Sequence, residues 1–201
     1  NELRDKFGEK FVHIDGEKLH YCINETYLEE EWPEDYSKCI IPYSLFDEAV
    51  VFGTAENGAK KLNKKSFADL KPFPKFDLII IDEAHHIRNP RTYAYQAVQM
   101  FCENAASIIM LTATPIQLYN NDLFVLLHLL RPDLIYDYKS FEHMSEPNPY
   151  INAAVKLIRS NDNDWQNKAL SNLIAAGETN WGAAVLECNP VYKKAINILK
   201  Q

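Results

Sequence analysis

One segment restricts the possible folds of this 201-residue chain more than any other. Residues 76–81, Phe-Asp-Leu-Ile-Ile-Ile, are mostly apolar, and Asp82 and Glu83 follow them directly. A short apolar run of this kind predicts a buried strand of a parallel sheet, in which ligand-binding loops lie at the carboxyl ends of the strands. Two adjacent carboxylates at such an end predict a magnesium ligand and a water-activating base of a nucleotide hydrolase.

A second buried-strand pattern lies further along the chain. Residues 107–112 are again mostly apolar, and the run ends in hydroxyl side chains and a proline stop at Pro115. Because the sheet is expected to be parallel, the two strand ends should meet at one edge. His85 is then expected within reach of the hydroxyls of Thr112 and Thr114.

Strand and helix patterns alternate up to residue 145, which predicts an α/β fold with a parallel sheet. Further strands are predicted over 10–15 and 38–43, and residues 53–75 are expected to form a loop. The predicted helices cover 1–8, 45–50 with Ser44 as cap, 91–104 begun by Asn89 and Pro90, and 120–130 with Leu123, Leu126, Leu127 and Leu130 on one face.

The pattern changes after the segment 145–149, which contains two prolines. Residues 151–159, 165–176 and 191–199 are predicted helices with no strand between them. We therefore expect two regions, an α/β lobe over residues 1–145 and an all-helical insertion or appendage over residues 146–201. Trp165 and Trp181 are expected to anchor the core of the helical region or to form a docking face for a protein partner.

Charge and cysteine usage limit the possible settings of the chain. Its net charge of -7 and pI near 5.4 exclude a broad phosphate-neutralising surface, so any DNA contact must be local. The four cysteines stand singly, which is typical of a reducing, intracellular setting. The charged start of the sequence leads us to expect no signal peptide. No apolar run reaches the roughly 18–20 residues that a membrane span needs. We expect a cytoplasmic protein, nucleoid-associated if bacterial.

Two strings carry a resemblance to a known family. Asp82-Glu83-Ala84-His85 resembles motif II of superfamily-two helicases of the DEAH-box type, and Thr112-Ala113-Thr114-Pro115-Ile116-Gln117 resembles motif III in its Swi/Snf-like form. Residues 41–45 resemble motif Ib, and Arg88-Asn89 matches a basic residue and an asparagine that often follow motif II. The resemblance covers most of residues 1–145. It implies part of the first RecA-like lobe of a DNA-dependent ATPase, a P-loop NTPase fold.

The resemblance also implies roles for particular residues, with ATP and Mg²⁺ as cofactors. Asp82 would hold Mg²⁺, and Glu83 would orient and deprotonate the attacking water. His85, Thr112, Thr114 and Gln117 would couple the ATP site to a second lobe and to nucleic acid. Tyr43, Ser44, Arg88 and Asn89 would lie near the DNA backbone. Strand-end packing and a solvated charge are the alternative interpretations of this last group.

An ATPase of this type also needs a glycine-rich loop that binds the phosphates, placed ahead of these motifs. The nearest string, residues 53–60, has Ala59-Lys60 where Lys followed by Ser or Thr is required, and it lies between motifs Ib and II. The second lobe and its arginine finger are also missing. We expect the isolated chain to be inactive, to expose an open sheet edge beside the motif III strand, and to form at most non-physiological dimers through it.

The expected function is therefore that of a piece of an ATP-dependent translocase that moves on duplex DNA. One alternative is the motor subunit of a restriction or phage-defence complex. Another is a catalytically silent module that binds protein or DNA. A metal site at His85 and His86 is disfavoured, because adjacent side chains point apart and the sequence suggests no further ligands.

Overall fold

The structure is a computed structural model that describes residues 2–53, 64–112, 120–160 and 163–200. The chain divides into two compact units, Asn1–Leu130 and Arg131–Gln201. The sequence suggested a division at residues 145–149, where the alternation of strand and helix patterns gives way to helix patterns alone. In the structure Pro147 caps a helix and Pro149 lies in its first turn, a position where proline is tolerated, so this segment continues the helical unit.

The first unit is of the α/β class with parallel strand pairs, which confirms the predicted fold class. Within the described residues, its four strands form two parallel pairs, the first strand with the second and the third with the fourth. Its elements are α1 (Glu2–Phe7), β1 (Val12–His13), α2 (Gly16–Glu29), β2 (Cys39–Ile40), α3 (Glu48–Phe52), β3 (Phe76–Ile81), α4 (Tyr93–Glu103), β4 (Ala105–Met110) and α5 (Asn120–Leu130).

The register of β3 and β4 brings their carboxyl ends to one edge. Phe76 lies opposite Ala105 and Ile81 lies opposite Met110. The pairing continues one step further, because the Leu111 amide donates to the Ile81 carbonyl over 2.8 Å. The two segments that carry the candidate catalytic residues therefore leave the sheet side by side.

A cluster of aromatic rings forms the core of the first unit and fixes α4 against β3. Phe101 of α4 lies at its centre, with ring centroids 5.2–6.5 Å from five other rings. These rings belong to Trp32, Phe46, Phe67, Phe73 and Phe76. Phe76 is the first residue of β3, so the strand that precedes Asp82 is anchored at its amino end by ring packing.

One face of the β3–β4 pair lacks a covering layer among the described residues. Leu78, Ile80, Ile109 and Leu111 are each between 44% and 56% exposed. In the same part of the chain, β4 pairs with no strand other than β3. The described residues thus leave an apolar sheet face and a strand edge open, as the sequence had suggested for the edge.

Sequence reasoning missed one long helix and misplaced two caps. Helix α2 begins directly after the strand predicted over 10–15, because the Asp15 carboxylate accepts the Lys18 amide over 2.9 Å. Asp47 rather than Ser44 caps α3, accepting the Val50 amide over 2.8 Å. Thr92 rather than Asn89 caps α4. In each case the capping residue is the one whose side-chain oxygen accepts the backbone amide three residues later.

Helix α5 was predicted at the right place with a different buried face. The expected apolar stripe contained Leu126 together with Leu123, Leu127 and Leu130. The residues buried in the structure are Val125, Leu126 and Leu129. The helix is therefore turned relative to the expected stripe, since its surface is apolar on several sides and periodicity does not select one of them.

The second unit consists of helices, as predicted for this part of the chain. Two of them were not predicted from the sequence, the first and the fourth. The helices are α6 (Tyr138–Ser145), α7 (Asn148–Ile158), α8 (Trp165–Glu178), α9 (Asn180–Val185) and α10 (Pro190–Leu199). Ala154, Ala169, Leu173 and Leu199 form the buried centre, against which Trp165 packs. No helix in the described part of the chain has the length and apolarity of a membrane span.

Candidate active site

Asp82 and Glu83 leave β3 through an unusual backbone conformation. Glu83 has φ 50° and ψ 48°, the left-handed region that a residue other than glycine adopts at a cost of about 1–3 kcal/mol. Its amide donates to the Asp82 carboxylate over 3.0 Å, and its carbonyl accepts the His86 amide over 2.9 Å. Both carboxylates are on exposed side chains. The turn therefore presents two adjacent negative charges to the space beyond the sheet.

The next residue ties this turn to the neighbouring strand. The buried Ala84 donates its amide to the Leu111 carbonyl over 2.9 Å. Thr112, which is half-buried, follows Leu111 directly. The structure thus places Thr112 and the acidic pair at the same sheet edge, as the sequence predicted. Thr114 and Gln117 lie outside the described residues.

Tyr43 reaches the same turn from a segment 39 residues earlier. Its hydroxyl donates to the Asp82 carbonyl over 2.8 Å. Burial raises the pKa of Tyr43 to about 12, and the negative charges of Asp82 and Glu83 act in the same direction. The phenol is therefore a neutral donor at physiological pH. Ser44 beside it is exposed and lies in the short 3-10 turn Tyr43–Leu45.

His85 lies close to the candidate base but is not hydrogen-bonded to it. Its Nδ1 is 3.2 Å from Glu83 Oε2, yet this buried nitrogen has no partner of acceptable hydrogen-bond geometry among the described residues. The direction of approach therefore does not allow a hydrogen bond, although the two atoms are close. The His85 and His86 rings lie 4.3 Å apart. The described residues contain no group of three or more metal-ligating side chains.

Arg88 and Asn89 follow the acidic turn and have different partners. Arg88 Nη1 lies 3.4 Å from Asp122 Oδ2 in the first turn of α5. Asn89 accepts the Arg91 amide on its side chain and the Thr92 amide on its carbonyl. Both Arg88 and Asn89 are exposed. Asp122 was not predicted as a site residue from the sequence. Its only indication there is its position in the first turn of a predicted helix.

The glycine-rich string at residues 53–60 begins at the end of a helix rather than of a strand. Gly53 closes α3 with φ 74°, and the Ser66 side chain lies 3.2 Å from the place where a Cβ would stand. Glycine at this position is thus explained by the helix end itself. Residues 54–60 lie outside the described residues.

Comparison with protein families gives one match that covers most of the chain. The model of the SNF2-related domain matches residues 10–175. This range includes every residue of the acidic turn, of the Tyr43 segment and of the segment after β4.

Two curated relatives are similar to this chain over a small part of their own length. The RNA polymerase-associated protein RapA of Vibrio campbellii (strain ATCC BAA-1116) is 30% identical over 164 residues, which is 71% of this chain and 17% of the relative. RapA of Vibrio atlanticus (strain LGP32) is 38% identical over 88 residues, 42% of this chain and 9% of the relative. The chain thus spans less than a fifth of either relative.

A solved structure with a related description is only distantly similar. It is the Sulfolobus solfataricus SWI2/SNF2 ATPase core in complex with dsDNA, with 15% identity and a TM-score of 0.45. The comparison covers 99% of this chain and 50% of that one.

Proposed function

Since the chain belongs to the SNF2-related domain family, we propose that it supplies the magnesium-binding and water-activating edge of an ATP-driven motor that moves on duplex DNA. The observation that carries this proposal is the pair Asp82 and Glu83 at the carboxyl end of β3. The two carboxylates stand at the edge where β4 also ends. Phosphoryl transfer depends on positioned charge and an oriented water rather than on protein-derived covalent chemistry, and this edge offers both kinds of group.

The donor set at this edge suits Mg²⁺. The ion binds proteins through one or two carboxylates and takes its other ligands from water and substrate phosphates. Asp82 and Glu83 are both exposed, and their carboxylate oxygens are the kind of donor that Mg²⁺ takes from proteins. Asp82 would hold the ion, directly or through water. When bound, Mg²⁺ would neutralise charge on the phosphate oxygens.

Glu83 is the proposed general base. Its carboxylate would accept a proton from the water that attacks the terminal phosphate. The new P–O bond would form as the bond between the terminal phosphorus and the bridging oxygen breaks, so that the products are ADP and inorganic phosphate. His85 Nδ1 lies 3.2 Å from the Glu83 carboxylate and would respond to the arrival of the proton on it. Together with Thr112, Thr114 and Gln117, it would couple the nucleotide site to the second lobe of the motor.

The proposed nucleic-acid contacts lie on two segments, one that follows β2 and one that follows the acidic turn. Ser44, Arg88 and Asn89 are exposed, and Arg88 is the only cation among them. Because the chain carries a net charge of -7, binding to a phosphate backbone would depend on such local groups and on further parts of the protein.

The remaining parts of the motor are proposed to lie elsewhere in a longer protein. A phosphate-binding loop and a second lobe with an arginine finger would complete the nucleotide site. The helical unit, residues 131–201, is a candidate surface for a protein partner, since it exposes Tyr150, Val155 and Ile158. We propose a cytoplasmic location, nucleoid-associated in a bacterium.

The test is ATP hydrolysis by the complete protein with duplex DNA, single-stranded DNA, RNA or no nucleic acid, with this 201-residue chain as the control. Strong stimulation by duplex DNA, with the isolated chain inactive, is the expected result. Turnover that no polymer changes would contradict movement on DNA. Absence of turnover under every condition would favour a binding module instead.

The enzymatic alternative is the motor subunit of a restriction or phage-defence complex. It uses the same chemistry, so the ATPase assay does not separate the two. A nuclease or methylase domain in the complete protein would decide for this alternative.

A further inference from the structure

We propose that Tyr43 is a positioning residue, whose hydroxyl holds the peptide between Asp82 and Glu83 in the conformation that presents both carboxylates. This inference rests on the proposed ATPase function for its catalytic consequence. It assigns Tyr43 a role inside the nucleotide site, whereas its position in the sequence suggested a contact with DNA.

The first observation is the hydrogen bond itself. The Tyr43 hydroxyl donates to the Asp82 carbonyl over 2.8 Å, from a segment that follows β2 rather than β3. The preceding residue is Pro42, and the Phe46 amide closes the 3-10 turn by donating to the Tyr43 carbonyl. The donor therefore stands on a segment with little conformational freedom.

The second observation is the place where the hydrogen bond acts. Within β3 the last carbonyl in the ladder is that of Ile81, which accepts the Leu111 amide. The next carbonyl along the chain is that of Asp82. It accepts a hydrogen bond from the Tyr43 hydroxyl and none from a neighbouring strand among the described residues. The left-handed Glu83 comes directly after it. Tyr43 thus acts at the peptide where the chain changes from strand to turn.

The third observation is that the turn is held on both sides of Glu83. Tyr43 fixes the carbonyl before it, and Leu111 of the neighbouring strand segment fixes the Ala84 amide after it. A backbone conformation that costs free energy persists only when its surroundings hold it in this way. Loss of one holder should let Glu83 relax towards ordinary backbone angles and turn its carboxylate away.

The expected effect is on turnover rather than on binding. A misplacement of about 1 Å in a catalytic group lowers rates by up to about 100-fold. We therefore expect Tyr43→Phe to lower kcat for ATP by about 10- to 100-fold and to change KM for ATP by less than about twofold. Affinity for duplex DNA should stay the same, because the phenol points to the protein backbone.

Tyr192 of α10 offers a matched control. Its hydroxyl donates to the Leu173 carbonyl over 2.6 Å, so Tyr192→Phe also removes one tyrosine-to-backbone hydrogen bond. Both variants should lower the Tm by a similar, small amount. Only Tyr43→Phe should lower kcat, and only Tyr43→Phe should speed hydrogen exchange in the peptide that covers residues 82–86.

The experiment compares wild type and the two variants of the complete protein by ATP hydrolysis, duplex-DNA binding and hydrogen exchange. An unchanged kcat in Tyr43→Phe would overturn the proposal. So would weaker DNA binding with unchanged DNA-independent hydrolysis, which would place Tyr43 on the DNA. If wild type hydrolyses no ATP, the proposed function fails by itself. Exchange at residues 82–86 still decides the positioning role, since an unchanged rate overturns it and a faster rate supports it.

Discussion

Arg88 and Asp122 approach each other from different segments, with Arg88 Nη1 3.4 Å from Asp122 Oδ2. Arg88 follows the acidic turn, and Asp122 lies in the first turn of α5, so the contact connects the candidate catalytic segment to the helix after β4. The arginine side chain is 53% exposed and the aspartate side chain 18% exposed. The Arg88 side chain can therefore contact α5 and still bind a ligand from solvent.

Substitutions on the two sides of this contact should separate those roles. We expect Arg88→Gln to weaken duplex-DNA binding and to reduce the slope of log K against log salt by about 0.9, the value for one phosphate contact. Asp122→Asn should leave DNA binding unchanged or stronger, because Arg88 keeps its charge. Each variant should cost less than about 1 kcal/mol of stability. Equal loss of DNA binding in both variants would mean that Arg88 serves only the contact with α5.

Glu83→Gln should abolish turnover without unfolding the protein. General-base catalysis contributes about 10²- to 10⁴-fold, so kcat for ATP should fall by that factor in the complete protein. The Tm should stay within about one degree, since the amide keeps the size of the side chain and the same backbone cost. Glu142→Gln in α6 makes the same charge change at an exposed position and should leave kcat unchanged. Hydrolysis by Glu83→Gln within twofold of wild type would refute the role of this carboxylate.

Two glycines of the helical unit should respond differently to alanine. A methyl group at Gly182 would meet the Ala176 carbonyl oxygen, which is backbone, whereas one at Gly177 would meet the Tyr192 hydroxyl, the end of a side chain. We expect Gly182→Ala to lower the free energy of unfolding by about 3 kcal/mol, near the upper limit for overpacking. Gly177→Ala should lose less, because the Tyr192 side chain can shift away from the new methyl group whereas the Ala176 backbone cannot. Urea unfolding followed by tryptophan fluorescence would measure both, and the reverse order would contradict the packing described here.

Two buried thiols and one half-buried thiol should make the first unit sensitive to alkaline pH. Burial raises the pKa of Cys22 to about 12 and those of Cys39 and Cys102 to about 11, from the ordinary value of 9.0. Because the folded-state pKa lies above the unfolded value, the stabilisation is complete below pH 9 and is lost as the pH rises towards 11. The free energy of unfolding should therefore fall as the pH rises from about 9 to about 11.

Urea unfolding at several pH values measures this dependence. Cys102→Ala should flatten it, since one of the three thiols no longer titrates. Cys188→Ser changes an exposed thiol and is the matched control, with a pH dependence like that of wild type. If Cys102→Ala retains the full dependence, the buried thiols do not cause it.

Local patterns predicted the elements of the candidate site well. The apolar run before Asp82 and the run before Thr112 gave the two strands, since each is long enough and ends in a clear stop. The parallel pairing and the α/β class followed from the alternation of strands with helices. The family assignment rested on the same two strings and is confirmed by the match to residues 10–175.

Contacts between distant segments were not predictable in the same way. Tyr43 and Asp82 are 39 residues apart, and Arg88 and Asp122 are 34 residues apart, so no local pattern joins them. The left-handed conformation of Glu83 was also not predictable from the sequence, because glycine is the residue that usually indicates such a conformation. The missed helix α2 shows a related limit, since Asp15 caps it at a point where Gly16 suggested an end.

The backbone conformation of Glu83 lowers folding stability at the same position that carries the proposed catalytic base. Glycine and asparagine adopt φ 50° at little cost, and neither carries a carboxylate. A replacement that relaxes this turn would therefore strengthen the fold and remove the proposed base in the same step. Selection of variants for heat resistance alone would tend to discard this glutamate, and only selection for turnover would keep it.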